Sequence, residues 1–76
     1  MAEAGRFRVE IGFDGGQALS LLVERVGLDA LEQALREGSE RSFALEADDG
    51  SYTIALRKVT YVKRFARESR VGFGNV

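Results

Sequence analysis

Residues 6–13, with the sequence RFRVEIGF, alternate strictly between apolar and other residues. Phe7, Val9, Ile11 and Phe13 fall on one side of an extended chain, and the intervening residues fall on the other. A period of two with aromatic and β-branched residues predicts a β-strand that has one face toward a core and one toward water. The chain must therefore build a sheet with a wet face.

The stretch after this strand predicts a hairpin. Asp14-Gly15-Gly16 supplies the positive φ angles of a tight turn, and residues 17–24 then offer apolar side chains at alternate positions as a returning strand. Helical spacing over residues 19–37 is a competing interpretation, which leaves open whether 17–24 is strand or part of the helix. We favour two elements, because Gly27 would cost a continuous helix about 1 kcal/mol.

A helix is expected over residues 28–37. The sequence Asp-Ala-Leu-Glu at 29–32 resembles a capping box at its start, and Gly38 is placed to end it. Its apolar residues recur at helical spacing, and its charged residues remain available to water. The pattern predicts an amphipathic helix that packs on one face of the sheet.

Two further strands are expected around a second tight turn. Residues 42–47, SFALEA, alternate in polarity, and so do residues 51–56, SYTIAL. Asp48-Asp49-Gly50 between them is typical of a hairpin turn. The sequence therefore predicts a second hairpin after the helix.

The alternation changes phase after this hairpin. At residues 57–58 the apolar positions shift from even numbers to Val59, Tyr61 and Phe65. A shift of one residue sends later side chains to the opposite face, so a bulge or a tight turn must lie there. We expect a turn followed by a last strand over 59–65, as in a small barrel or a strongly bent sheet.

These elements predict a single small α+β domain over residues 1–76. The expected architecture is a curved antiparallel sheet of four or five strands with one helix, in the order ββαββ(β), and disordered ends at 1–5 and 75–76. The expected core consists of Phe7, Val9, Ile11, Phe13, Leu21, Leu31, Leu35, Phe43, Leu45, Ile54, Leu56 and Val59.

The composition argues against an enzyme. The chain has neither cysteine nor histidine, which removes thiolate nucleophiles, the usual zinc and copper ligands, and the acid–base group that titrates near neutral pH. We expect no catalytic residues, no metal and no cofactor.

The chain also lacks the patterns of a membrane or secreted protein. No apolar run approaches the roughly 18 residues of a membrane span, and residues 1–5 do not resemble a signal peptide. We therefore expect a soluble cytoplasmic protein. A core this small leaves a few kcal/mol of stability at most, which favours self-association.

Charge is divided unevenly along the chain. Residues 51–76 carry six basic side chains and one acidic, a net charge of +5, whereas residues 1–50 carry five basic and eleven acidic, a net charge of −6. Two such surfaces can complement each other between copies if the fold keeps them apart.

The basic segment also carries aromatic residues. On a strand, Tyr61, Lys63 and Phe65 share one face, and Val62 and Arg64 share the other. Beyond the strand, an aromatic residue flanked by glycines is either an anchor onto the body or a contact for another chain. The candidate partner-binding residues are Tyr61, Lys63, Arg64, Phe65, Arg67, Arg70 and Phe73.

Two functions fit these residues. The first is a non-enzymatic interaction module, expected to be a homo-oligomer or to bind another protein through a sheet edge and this basic, aromatic segment. The alternative is a binder of single-stranded nucleic acid, because rings on a sheet stack with bases while neighbouring cations neutralise phosphates.

Four short motifs can be compared with known families: Val9-Glu10-Ile11-Gly12, Asp48-Asp49-Gly50, Val59-Thr60-Tyr61-Val62 and Arg70-Val71-Gly72-Phe73-Gly74. In these motifs the chain resembles a family of small actinobacterial proteins classed as a domain of unknown function. The resemblance spans residues 7–74, implies a bacterial protein with the same order of elements, and brings no activity to carry over. Lys63 and Arg64 depart from it, because they replace more acidic residues.

Overall fold

A computed structural model describes residues 6–65, which form one antiparallel sheet of five strands and one α-helix. The α+β class and the order ββαββ(β) are confirmed, and the sheet is open rather than closed into a barrel. Among these residues no helix is both long and apolar enough to cross a membrane. The predicted ends at 1–5 and 75–76 lie outside the described residues. The elements are β1 (Arg6–Phe13), β2 (Ala18–Glu24), α1 (Arg25–Glu37), β3 (Ser42–Ala47), β4 (Gly50–Ala55) and β5 (Val59–Arg64).

The strands lie in the order β4, β3, β2, β1, β5 across the sheet. β1 is therefore an interior strand, which pairs with β2 on one side and with β5 on the other. β4 and β5 are the two edge strands. β2 and β3 meet at Val23 and Ala47, and α1 packs against both of these strands. The helix covers one face of the sheet, and we call the opposite face the open face.

Both predicted hairpin turns are present. Gly15 and Gly16 have φ angles of 101° and 92°, and the amide of Phe13 donates to the carbonyl of Gln17 at 2.8 Å. In the second hairpin, Ala47 pairs with Gly50 around a two-residue loop. The glycines in these two turns therefore lie where the backbone needs positive φ angles, as the sequence predicted.

Residues 18–24 form a strand, which settles the question that the sequence left open. The helix begins at Arg25, three residues before the expected start, and the capping box at 29–32 is wrong because those residues lie inside it. Burial of Leu28 and Leu31 holds the chain in helix directly after β2, and this packing outweighs the cost of Gly27. The predicted end is confirmed: Gly38 has φ 71° and its amide donates to the carbonyl of Ala34.

The predicted change of phase before the last strand has two components. Residues Leu56–Lys58 form a short 3₁₀ turn, as a tight turn requires. In addition, successive residues of β1 pair with Tyr61 and Val59, so Thr60 is an extra residue in a bulge. The bulge turns Val59 toward the core and Tyr61 toward the open face, although both are apolar positions of the shifted alternation.

The core lies between α1 and the covered face of the sheet. All of the expected core residues except Phe7 are buried in it or are half-buried and pack against it, whereas Phe7 is half-buried without belonging to this cluster. Val23 and Ala34 are buried although they are not among the expected core residues, because Val23 alternates with Leu21 along β2 and Ala34 lies one helical turn from Leu31. The buried residues are Val9, Ile11, Leu21, Val23, Leu28, Leu31, Ala34, Leu45, Ile54 and Leu56.

Candidate binding surface on the edge strand β5

β5 presents two chemically different faces. Val62 is half-buried and packs against the core, and Arg64 reaches the helix on the same side. Tyr61 and Lys63 point to the open face and are exposed. The alternation predicted for these four residues is therefore confirmed, and it divides the candidate site between the two sides of the sheet.

Tyr61 is fixed in position by β1. Its ring lies against the backbone of Gly12, its partner across the two strands, where a side chain on the glycine would occupy the same space. Its hydroxyl donates a hydrogen bond to Oε2 of Glu10. This bond to a carboxylate, together with partial desolvation and the negative charge, raises the pKa of Tyr61 above its ordinary value. Tyr61 is still 46% exposed, so the side chain remains accessible although it makes these two contacts.

Lys63 and Phe65 form a second contact beside this ring. Nζ of Lys63 lies 4.6 Å from the centroid of the Phe65 ring, within the range of a cation–π interaction. Lys63 pairs with Glu10 across the strands but forms no ion pair within residues 6–65. Its charge is therefore available to a partner on the open face.

Arg64 forms ion pairs with two carboxylates of α1. Its Nη2 lies 2.6 Å from Oδ1 of Asp29 and 2.9 Å from Oε1 of Glu32, and its Nε donates to Oε2 of Glu32 at 3.0 Å. The hydrogen bonds to Glu32 and then to Asp29 raise the pKa of the guanidinium further above its ordinary value. Arg64 is thus neutralised by two carboxylates on the covered side, and the structure does not bring it together with Lys63.

Arg8 is a residue of this surface that the sequence did not identify. The amide of Phe65 donates to the carbonyl of Arg8 at 3.1 Å, which places Arg8 beside Phe65 in the sheet. Its place on the solvent-exposed face of β1 follows from the alternation, but the pairing of β1 with β5 joins residues 46 to 55 positions apart in sequence. We call Arg8, Tyr61, Lys63 and Phe65 the β5 patch.

The remaining candidate residues, Arg67, Arg70 and Phe73, lie outside the described residues 6–65. Their use in binding stays a prediction. Within residues 6–65 there is no group of three or more acidic, histidine or cysteine side chains placed to hold a metal ion.

A separate groove lies around β2, and none of the residues of the β5 patch line it. Its volume is about 380 Å³, and residues from β1, β2, the start of α1, β3 and the turn after it line it. Its lining includes the carboxylates of Glu24, Glu46 and Asp48 and the exposed apolar side chains of Leu22 and Val26. We call it the acidic groove. It brings together part of the negative charge of the first fifty residues, on β2, on β3 and in the turn after β3.

Comparisons of the chain with protein-family models, with curated proteins and with solved structures found no match. The resemblance to the actinobacterial family therefore stays a prediction.

Proposed function

We propose that this chain is a non-enzymatic, cytoplasmic interaction module that self-associates through the free edge of β5 and the β5 patch. The observation that carries the proposal is the position of Tyr61. It lies on an edge strand, its ring is held against Gly12, and nearly half of its surface remains open. A ring that is ordered before binding loses little conformational entropy when a partner covers it.

Within residues 6–65 no strand pairs with the outer edge of β5, and we call this the free edge; its backbone groups can pair with another strand. Antiparallel pairing of two β5 strands about a two-fold axis at Val62 places Lys63 of each copy opposite Tyr61 of the other. The lysine cation then lies beside a tyrosine ring in each of the two symmetry-related Lys63–Tyr61 pairs. No like charges face each other directly. A closed two-fold dimer with one continuous sheet of ten strands would result.

Size-exclusion chromatography with light scattering, at tens of micromolar protein, tests this proposal. We expect a dimer for the natural sequence, a monomer for Lys63→Glu and a dimer for Lys58→Glu. Lys58 is the matched control, because it is an exposed lysine in the 3₁₀ turn before β5. Circular dichroism of each variant checks that it is folded. A natural chain that is monomeric under these conditions contradicts the proposal, and so does a Lys63→Glu variant that remains a folded dimer.

A second candidate function is the binding of single-stranded nucleic acid by the same patch. The observation that favours it is the arrangement of Tyr61 and Phe65 on one face of β5, with Lys63 between them and Arg8 beside them. Two rings four residues apart are separated by roughly 13 Å along a strand, and cations between them can neutralise phosphates.

Fluorescence anisotropy of a labelled oligothymidine at low salt tests this second function. Lys63→Glu should weaken binding more than Arg64→Glu, because Arg64 faces the helix and is already paired. Binding should fall steeply as salt is added. The absence of any anisotropy change at low salt would rule this function out.

A further inference from the structure

A pocket of about 460 Å³ lies between the start of β2 and the strand β4, and we call it the β2–β4 pocket. Within residues 6–65, β2 pairs with β3 only at Val23 and Ala47, so the first residues of β2 have no pairing strand on that side. Leu19 of β2 and residues 52–55 of β4 line the pocket, and the edge of the core is open there. The volume lies within the range of roughly 300–1,000 Å³ that is typical of small-molecule sites.

The least exposed part of the β2–β4 pocket is apolar. Ile54 is buried in the core, and Phe13 and Leu19 are half-buried and pack against it. All three line the pocket, so each of these core side chains keeps some accessible surface at this point. An apolar group of a ligand that covers this surface is removed from water together with it, which favours binding.

Two opposite charges are neighbours in the lining of the same pocket. The amide of Asp14 donates to the carbonyl of Lys58 at 2.7 Å, which joins the backbones of the two residues. Both residues are exposed, and neither forms an ion pair within residues 6–65. A ligand in the pocket can therefore meet a carboxylate and an ammonium group close to the apolar surface.

We propose that the β2–β4 pocket binds a free α-amino acid with a large apolar side chain. The carboxylate of the ligand faces Lys58, its ammonium group faces Asp14, and its side chain packs on the apolar part of the pocket. Both charged groups of an α-amino acid are attached to one carbon atom, which suits two partners whose backbones are joined by a hydrogen bond. A ligand with a single charge would lie beside a like charge as well as an opposite one, and the zwitterion avoids this.

This inference goes beyond the proposed function, because no residue of the β5 patch lines the β2–β4 pocket. The two proposals can fail separately, and two charge-reversing variants distinguish them. Lys58→Glu should lose the amino acid and remain a dimer. Lys63→Glu should become a monomer and keep the amino acid.

Titration of the full chain with L-phenylalanine, followed through the amide chemical shifts, tests the proposal. We expect saturable shifts at Asp14, Leu19 and Ile54 at millimolar ligand or below. Three analogues each lack one feature: glycine lacks the apolar side chain, hydrocinnamate lacks the ammonium group, and phenethylamine lacks the carboxylate. Each should bind at least about tenfold more weakly, because each loses a charged hydrogen bond or an apolar contact. The absence of saturable shifts with L-phenylalanine would overturn the site, and equal binding of hydrocinnamate or phenethylamine would overturn the choice of a zwitterion.

Neutral substitutions at the two charges identify what each one binds. Lys58→Gln should weaken L-phenylalanine about tenfold and leave phenethylamine unchanged, because phenethylamine has no carboxylate to lose a partner. Asp14→Asn should weaken L-phenylalanine and leave hydrocinnamate unchanged. The matched control is Arg57→Gln, which removes an exposed cation of the same 3₁₀ turn from outside the pocket lining and should bind as the natural chain does. Equal losses in Arg57→Gln and Lys58→Gln, or an analogue that weakens in parallel with L-phenylalanine in both pocket variants, would overturn the assignment.

Discussion

The ring of Tyr61 lies against the backbone of Gly12, and the space that it fills is the space that a Cβ at residue 12 would need. A glycine in a strand interior normally weakens the strand, and an aromatic ring from the neighbouring strand compensates by covering it. The contact joins the edge strand β5 to β1. It also sets the orientation of the most exposed ring on the open face.

Gly12→Ala should destabilise the fold. The added methyl group overlaps the Tyr61 ring, so the ring or the strand must shift, and changes of this kind cost about 1–3 kcal/mol. Urea denaturation followed by circular dichroism measures the loss. Combination with Tyr61→Ala should make the alanine at residue 12 nearly harmless, because the ring that it displaces is gone.

Gly27→Ala is the matched control for that substitution. A Cβ at Gly27 meets its nearest atom, Cδ1 of Leu45, at an ordinary 3.6 Å, and the residue lies in α1. Alanine in a helix is favoured over glycine by about 0.5–1 kcal/mol. The control should be neutral or stabilising. Equal losses from the two substitutions would contradict the contact between Gly12 and Tyr61.

The fold was largely predictable because its signals are local. Alternation fixed the strands, and the glycines at 15–16, 38 and 50 marked turns and a helix end that the backbone requires. The helix start was not predictable in this way. No local cap decides it, since Glu24 makes no side-chain capping bond, and the burial of Leu28 against the sheet sets the boundary instead.

Arg64 should be coupled more strongly to Glu32 than to Asp29. Glu32 receives two of its three hydrogen bonds and has a side chain that is 27% exposed, against 55% for Asp29. Ion pairs this exposed contribute up to about 1 kcal/mol. Double-mutant cycles with Arg64→Gln, Glu32→Gln and Asp29→Asn measure both couplings by urea denaturation.

The matched control for these cycles is Arg57→Gln, which removes an exposed arginine from the 3₁₀ turn and should change the free energy of unfolding very little. High salt should reduce the coupling of Arg64 to both carboxylates. A larger coupling to Asp29 than to Glu32 would contradict the geometry.

Alkaline pH should weaken the contact between Tyr61 and Glu10. The hydrogen bond raises the pKa of Tyr61 in the folded chain above its value in the unfolded chain, which is about 10. The stabilisation is therefore complete below about pH 10 and is lost as the pH rises through the folded-state pKa. The chain has two tyrosines and no tryptophan, so absorbance titration of phenolate formation reports these two groups.

Glu10→Gln should return the pKa of Tyr61 toward its ordinary value and leave Tyr52 unchanged. Asp49→Asn should do the reverse, because the hydroxyl of Tyr52 donates to Asp49 Oδ2 at 2.9 Å and this bond raises the pKa of Tyr52. A titration curve that neither substitution alters would refute both assignments.

The candidate site was only partly predictable. Alternation placed Tyr61 and Lys63 on one side of β5 and Arg64 on the other, and the structure confirms this. The alternation could not identify Arg8 as part of the site or predict the role of Gly12, because both depend on which strand lies beside β5. That pairing is a long-range property, and a run of basic residues in the sequence carries no information about it.

Hydrogen exchange measured at two protein concentrations tests the central claim most directly, namely that the free edge of β5 is where copies of this chain meet. β4 is the internal reference, because it is the other edge strand of the same sheet. We predict that amides within Val59–Arg64 gain protection as the concentration rises while those within Gly50–Ala55 do not. Protection of β5 that is independent of concentration, or an equal gain at β4, would contradict the claim.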